Sequence, residues 1–183
     1  MLTNLLVFLL DTFLGLFALA LLLRFYLQVM RAPARNPVST FVVALTNWIV
    51  APARRFVPGL FGIDLSTLVL AWLTEALLLA LKHLITIWAA PPFFMIALVA
   101  AIQIAKLSVW ILMIAVLVQA VLTWVAPYSP AMPVLNSLSR PFLAVFRRYV
   151  PPVGNVDLSP IFVLIGCQVV LYLIGYAEAL IVS

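Results

Sequence analysis

Six ionisable side chains stand inside runs of apolar sequence: Asp11, Glu75, Lys82, His83, Lys106 and Glu178. A charge in hydrocarbon is expensive, so such residues normally face protein or water, pair with one another, or mark a path for ions or protons. Their helical spacing gives them direction. Asn4, Asp11, Gly15 and Ala18 share a stripe, as do Glu75 and Lys82, Gln103 and Lys106, and Gln168, Gly175 and Glu178. Four polar stripes converging in one bundle would serve structural ion pairs, with Glu75 the partner of Lys82, or a proton or cation pathway. Counting about 20 residues at 1.5 Å each from Leu65, Thr123 and Leu158 places Lys82, His83, Lys106 and Glu178 near one membrane boundary. Lysines there can snorkel to water. Only Glu75 and Asp11 are then deep.

Other chemistry is scarce. His83 is the only histidine and Cys167 the only cysteine, and they fall in different apolar runs. A metal centre needs more ligands than that, and a Cys–His nucleophile needs both groups together. His83 could supply one axial ligand to a haem only if a methionine or a partner supplied the other. There is no phosphate-binding glycine loop, serine nucleophile signature or closely spaced carboxylate pair. The chain is expected to be no enzyme and to carry no cofactor.

The elements that must position these groups follow from composition. With 67% hydrophobic and 8% charged residues among 183, the chain has too little polar surface to cover a soluble globule. Four spans account for the apolar mass: Leu5 to Gln28, Leu65 to Trp88, Phe93 to Trp124 and Leu158 to Val182. Ala18-Leu19-Ala20 looks like a signal-peptidase site, but no basic residue precedes it and the apolar run continues, so the first span is expected to be retained. Arg24, Arg31, Arg35, Arg54 and Arg55 lie at or between the first two spans, and Arg140, Arg147 and Arg148 between the last two. The positive-inside rule puts both regions in the cytoplasm and both termini outside. Those eight of the ten basic residues explain the net charge of +5 as a topology signal. No soluble basic domain for nucleic acid remains.

The segments between spans are the most specific part of the chain. Leu45 to Pro58, containing Pro52-Ala53-Arg54-Arg55, aligns without gaps at an offset of 93 positions with Leu138 to Pro151, containing Arg147-Arg148. The match continues from Asp64-Leu65-Ser66 to Asp157-Leu158-Ser159. This implies a tandem duplication, residues 1–92 and 93–183, of one membrane unit. The expected fold is an all-α membrane protein with four transmembrane helices in two parallel repeats, each with a cytoplasmic interfacial amphipathic helix between its spans.

Asn36-Pro37 reads as an N-cap followed by proline at the first helical position, and Val38, Phe41, Val42, Leu45, Trp48 and Ile49 then recur at helical spacing. Ser39, Thr40, Thr46 and Asn47 fill the other side. Such a helix would lie in the headgroup plane, with Trp48 at the interface and Arg54-Arg55 against anionic lipid. The second copy repeats the plan with Leu135, Leu138, Phe142, Val145 and Phe146, though Pro141 should kink or split it. Pro58 and Pro151 open short loops leading to Asp64 and Asp157, which could pair with the arginines or cap the next span. One stretch fits no span. Residues 84–105 are apolar around Pro91-Pro92, suggesting strongly tilted helices or an apolar hairpin on the outer leaflet or a partner, with Ala97, Ala101 and Ala105 as a ridge admitting another helix.

Through Asn36-Pro37, Pro52 to Pro58, Asp64-Leu65-Ser66, Arg140-Pro141, Arg147-Arg148, Pro151 and Asp157-Leu158-Ser159-Pro160, essentially the whole chain resembles the YggT family, also called YlmG, in its two-repeat proteobacterial form. Val145 departs from the repeat, standing where the first copy has Pro52. The resemblance implies a bacterial inner-membrane protein without a settled reaction, in a family associated with osmotic stress tolerance and ion balance, with cell division and nucleoid distribution, and in plastids with haem attachment during cytochrome assembly. That range suits a non-enzymatic scaffold or assembly factor that binds another membrane protein or itself. The alternative is a small ion or osmolyte transporter using Glu75, Lys82 and Lys106.

Overall fold

The computed structural model describes residues 1–34, 36–57, 59, 63–87, 92–149 and 157–182. These form α1 (Leu2–Val29), α2 (Pro37–Ala53), α3 (Leu65–Ile87), α4 (Phe93–Val125), α5 (Met132–Arg147) and α6 (Ser159–Val182). Helices α1, α3, α4 and α6 are long and apolar enough to cross a membrane. In hydrocarbon every backbone N–H and C=O must be satisfied within the segment, and a Leu-, Ala-, Val- and Ile-rich run meets that demand as helix.

Residues 84–105 are largely accounted for as helix. Leu84 to Ile87 end α3, Phe93 to Ala105 begin α4, and Trp88 to Pro91 lie outside the described residues. At 33 residues α4 is about 50 Å long, well beyond a ~30 Å hydrocarbon core. The indole N–H of Trp72 donates to the Ala97 carbonyl at 3.0 Å and holds the start of α4 against α3. Within the alanine ridge, Ala101 and Ala105 are exposed, and the neighbouring Ala100 is the buried one.

Helix α1 packs chiefly on α3, and α4 chiefly on α6; α3–α4, α1–α4 and α1–α5 contacts join these pairs. Leu21, Leu22, Val50, Ala71 and Ile111 form one buried cluster across α1 to α4. Leu27, Ala115, Val134 and Leu138 form another, and Val116, Leu143, Val163 and Cys167 a third. Helix α4 contributes to all three and is the spine of the molecule. Lipid tails are as apolar as leucine, so these clusters contribute close packing more than release of water.

The two short helices differ in which side faces the bundle. Helix α2 buries Ser39, Val42, Thr46 and Val50 and exposes Phe41, Leu45 and Trp48, so two hydroxyls point inward beside two valines and its aromatic side points outward. Trp48 also stacks obliquely on Phe17 of α1, with ring centroids 5.7 Å apart. Helix α5 buries Val134, Leu138, Ser139 and Leu143 and leaves Arg140 exposed. Phe142 and Val145, expected on its apolar face, are exposed, whereas Phe146 stacks on Phe162 of α6. Pro141 does not split α5, which runs through it. It lies on the exposed side, where a lost backbone hydrogen bond is most easily replaced.

Asn36 caps α2 as its sequence implies: its side-chain oxygen accepts from the Ser39 backbone N–H at 2.8 Å, and Pro37 takes the first turn. The end of α1 is less ordinary. Arg31 N–H donates to the Gln28 carbonyl at 3.0 Å and Ala32 N–H to the Leu27 carbonyl at 2.8 Å, the paired bonds of a Schellman cap. The residue at the left-handed position of such a cap is usually glycine. Here it is Arg31, with φ 50°, a conformation costing an L-residue about 1–2 kcal/mol.

Candidate functional site

Polar groups gather in two zones, one where the short helices meet the ends of the spans and one toward the opposite end of the bundle.

In the first zone, each half ties the exit of its short helix to the entrance of its second span. Arg54 Nε and Nη2 both donate to Asp64 Oδ2, at 2.8 and 2.5 Å. Arg147 Nε donates to Asp157 Oδ2 at 2.8 Å, and its Nη2 lies 2.7 Å from the same oxygen. Asp64 also accepts from the Ser66 hydroxyl, and its backbone carbonyl from Thr67 Oγ1 at 2.7 Å. Asp157 Oδ1 accepts from the Ser159 backbone N–H at 2.9 Å, a capping bond for α6. The aspartates therefore both pair and cap. Burial opposes the charge on Asp64, but the Ser66 hydroxyl and Arg54 outweigh it and hold the carboxyl below the usual carboxylate range. Asp157 is lowered for the same reasons: burial works against it, and Ser159 and Arg147 prevail. The side chain of Asp64 is 6% exposed and that of Asp157 37%, so the first strap is much the drier.

Deeper in this zone, the first span of each half is fastened to its own short helix. Arg24, 8% exposed, donates from Nη1 to Thr46 Oγ1 at 2.9 Å and from Nη2 to Asn47 Oδ1 at 3.2 Å. This explains the orientation of α2: a buried guanidinium requires acceptors, and Thr46 and Asn47 provide them. In the second half Gln119 does the same work without charge, donating to Asn136 Oδ1 at 2.6 Å and accepting from the Ser139 hydroxyl. Sequence reading treated Arg24 as a topology marker and passed over Gln119. A signal was present in both cases, a polar residue near the end of an apolar run with a hydroxyl–amide pair downstream.

The opposite zone holds the intramembrane charges, sorted into two groups. Lys82 Nζ of α3 contacts both oxygens of Asp11 on α1, at 2.9 and 3.1 Å. Lys106 of α4 pairs with Glu178 of α6, which also accepts from Gln103 Nε2 at 2.9 Å. The expected Glu75–Lys82 partnership gives way to Lys82–Asp11. Seven residues along one helix separate Glu75 from Lys82 by roughly 10 Å, whereas Asp11 comes to Lys82 across the α1–α3 contact. Glu75, 5% exposed, makes no hydrogen bond or ion pair among the described residues, and its electrostatic neighbours are Asp11 and Lys82. His83 joins no ion pair among the described residues. The four stripes thus meet as two separate clamps, with Glu75 beside the first.

Arg55, Arg140 and Arg148 are exposed and form no ion pair among the described residues. Pro58 and Pro151 fall outside those residues. No group of three or more potential metal ligands occurs among the described residues.

Comparison with known proteins places this architecture. A family model described as CCB3/YggT matches residues 3–85 and 98–177. An uncharacterised protein of Pseudomonas aeruginosa is 35% identical over 167 residues, covering 90% of this chain and 85% of that protein. The uncharacterised protein YggT of Escherichia coli K12 is 34% identical over 181 residues, covering 97% and 92%. A chloroplastic YlmG homolog of Arabidopsis thaliana is 47% identical over a shorter stretch of 45 residues, 24% of this chain and 18% of that one. No solved structure matches.

Proposed function

The chain belongs to the CCB3/YggT family, and on that premise we propose that it is a non-enzymatic scaffold or assembly factor of the bacterial inner membrane. In this reading residues 1–92 and 93–183 are parallel repeats, α2 and α5 sit at the cytoplasmic face, and both termini are extracytoplasmic. Its partners are anionic headgroups and another membrane protein or a second copy of itself.

One observation carries the reading: four of the six intramembrane ionisable groups pair between spans, Asp11 with Lys82 and Lys106 with Glu178. A translocation path needs titratable or ion-ligating groups in series and accessible to water. Two clamps, one on the α1–α3 contact and one on the α4–α6 contact, serve instead to fix helix register. The transporter reading retains one specific support, the buried Glu75 beside the first clamp.

Reconstitution in vesicles decides between them. A scaffold gives no solute-specific or pH-driven flux, and Glu75→Gln leaves that result unchanged; robust flux lost in a stable Glu75→Gln protein would reject it. Crosslinking in native membranes should recover a discrete partner. Reporters fused at either terminus should be active only outside the cytoplasm, and a cytoplasmic C-terminus would overturn the topology.

A further inference from the structure

Between the end of α1 and the flank of α2 lies an open cleft of about 310 Å³. Arg24, Arg31 and Arg54 line it together with Gln28 and Ser39. Leu27, Val42 and Val43 form its apolar wall. Three guanidiniums share this space, and the nearby carboxylate, Asp64, is already engaged by Arg54 and Ser66. Arg24 directs one nitrogen each to Thr46 and Asn47. The Arg31 side chain makes no hydrogen bond or ion pair among the described residues, although its backbone is held in the left-handed conformation that the cap would more readily give to glycine. The backbone cost of placing an arginine here is not offset by any side-chain contact of its own.

We propose that this cleft binds a phosphate-bearing anion, the headgroup of an anionic phospholipid or a free phosphate ester. Guanidinium forks match phosphate oxygens in geometry and charge. The apolar wall beside them suits the start of an acyl chain.

The second half offers a contrast. In the second half the span residue that meets the short helix is the neutral Gln119 in place of Arg24. A cleft of about 160 Å³ borders Gln119, between α4, α5 and the start of α6, and its charged lining residues are Arg147 and Asp157, which pair with each other. Of these two clefts, only the one between α1 and α2 is lined by arginines without a lining carboxylate.

The proposal rests on the membrane setting of the preceding section but not on the scaffold reading, which fails by flux in vesicles and not by loss of lipid. Its test is native mass spectrometry of the full chain in detergent, titrated with phosphatidylglycerol or phosphatidylcholine, with glycerol phosphate as soluble competitor. Arg31→Gly removes the guanidinium while giving the cap its preferred residue, so its thermal stability should equal or exceed that of the parent. Its preference for phosphatidylglycerol should fall about fivefold, the factor expected for one basic residue. Arg148→Gln, which removes an exposed arginine elsewhere, should keep the preference. Displacement of lipid by glycerol phosphate would assign the site to a free ester, and resistance to it would assign the site to a lipid headgroup. Absence of any preference in the parent with no glycerol phosphate bound, retention of the preference in Arg31→Gly, or an equal loss in Arg148→Gln would overturn the proposal.

Discussion

The two halves of this protein solve the same joining problem with different electrostatics. Each fastens its short helix to the first span and straps the helix exit to the second span, yet the first half uses the buried guanidinium of Arg24 where the second uses the neutral amide of Gln119. A buried charge dictates its surroundings more strongly than an amide does. Helix α2 accordingly turns Ser39 and Thr46 inward and its aromatics outward, whereas α5 has three apolar residues beside Ser139 on its buried side. The clamps differ as well. The first places its acid on the earlier span and its base on the later one, and the second reverses the order.

The largest effect should come from the clamp of the second half. Its side chains are 26% and 19% exposed against 36% and 44% in the first, so a lost partner there is harder to replace with water or headgroups. Lys106→Leu should cost about 3–5 kcal/mol in detergent unfolding, and adding Glu178→Leu should restore most of it. Lys82→Leu should cost nearer ~1 kcal/mol. Equal losses would erase the distinction between the clamps.

Next come the anchors. Arg24→Leu removes two bonds from a charged donor and should destabilise by about 2–3 kcal/mol, while Gln119→Leu should cost ~1–2 kcal/mol. A reversed order would show that charge is not what separates α2 from α5.

Acid should distinguish the straps. Both aspartates have folded pKa values below their unfolded ones, so their contribution is fully present above the unfolded carboxylate range and disappears as pH falls through the lower folded value. Asp64→Asn should flatten the pH dependence of the melting temperature on the acid side more than Asp157→Asn, because Asp64 is the drier partner.

The smallest effect belongs to the exposed arginines. Arg55→Gln and Arg148→Gln should each change stability by no more than ~0.5 kcal/mol. Arg55→Gln should weaken attachment to anionic vesicles by about 1 kcal/mol, less in high salt, with the spans intact.

Four apolar helices, the Asn36 cap and the Arg–Asp correspondence were legible because each rests on local spacing, and the structure places all of them. The clamps were only half legible. Periodicity along one helix identified the faces of Lys82 and Glu178, but Lys82–Asp11 and Lys106–Glu178 join residues 71 and 72 positions apart, which no single-helix pattern encodes. The inward side of α2 is not legible from periodicity, because Ser39 and Thr46 are buried beside Val42 and Val50 while Thr40 and Asn47 stay exposed. Buried Arg24 draws Thr46 inward as an acceptor. The apolar stretch 84–105 was hard to place because spans were counted at the minimum crossing length, whereas α4 runs 33 residues.

The opposite polarity of the two clamps bears on how the chain is made. With the acid on α1 and the base on α4, Asp11 has two lysines that could claim it, and the wrong choice would knit the halves together through the wrong spans. Emergence from the ribosome at ~5–20 residues per second resolves the competition by order of arrival. Lys82 precedes Lys106 in the chain. The α1–α3 hairpin can therefore close before its rival exists, leaving Lys106 to wait for Glu178 near the end of synthesis.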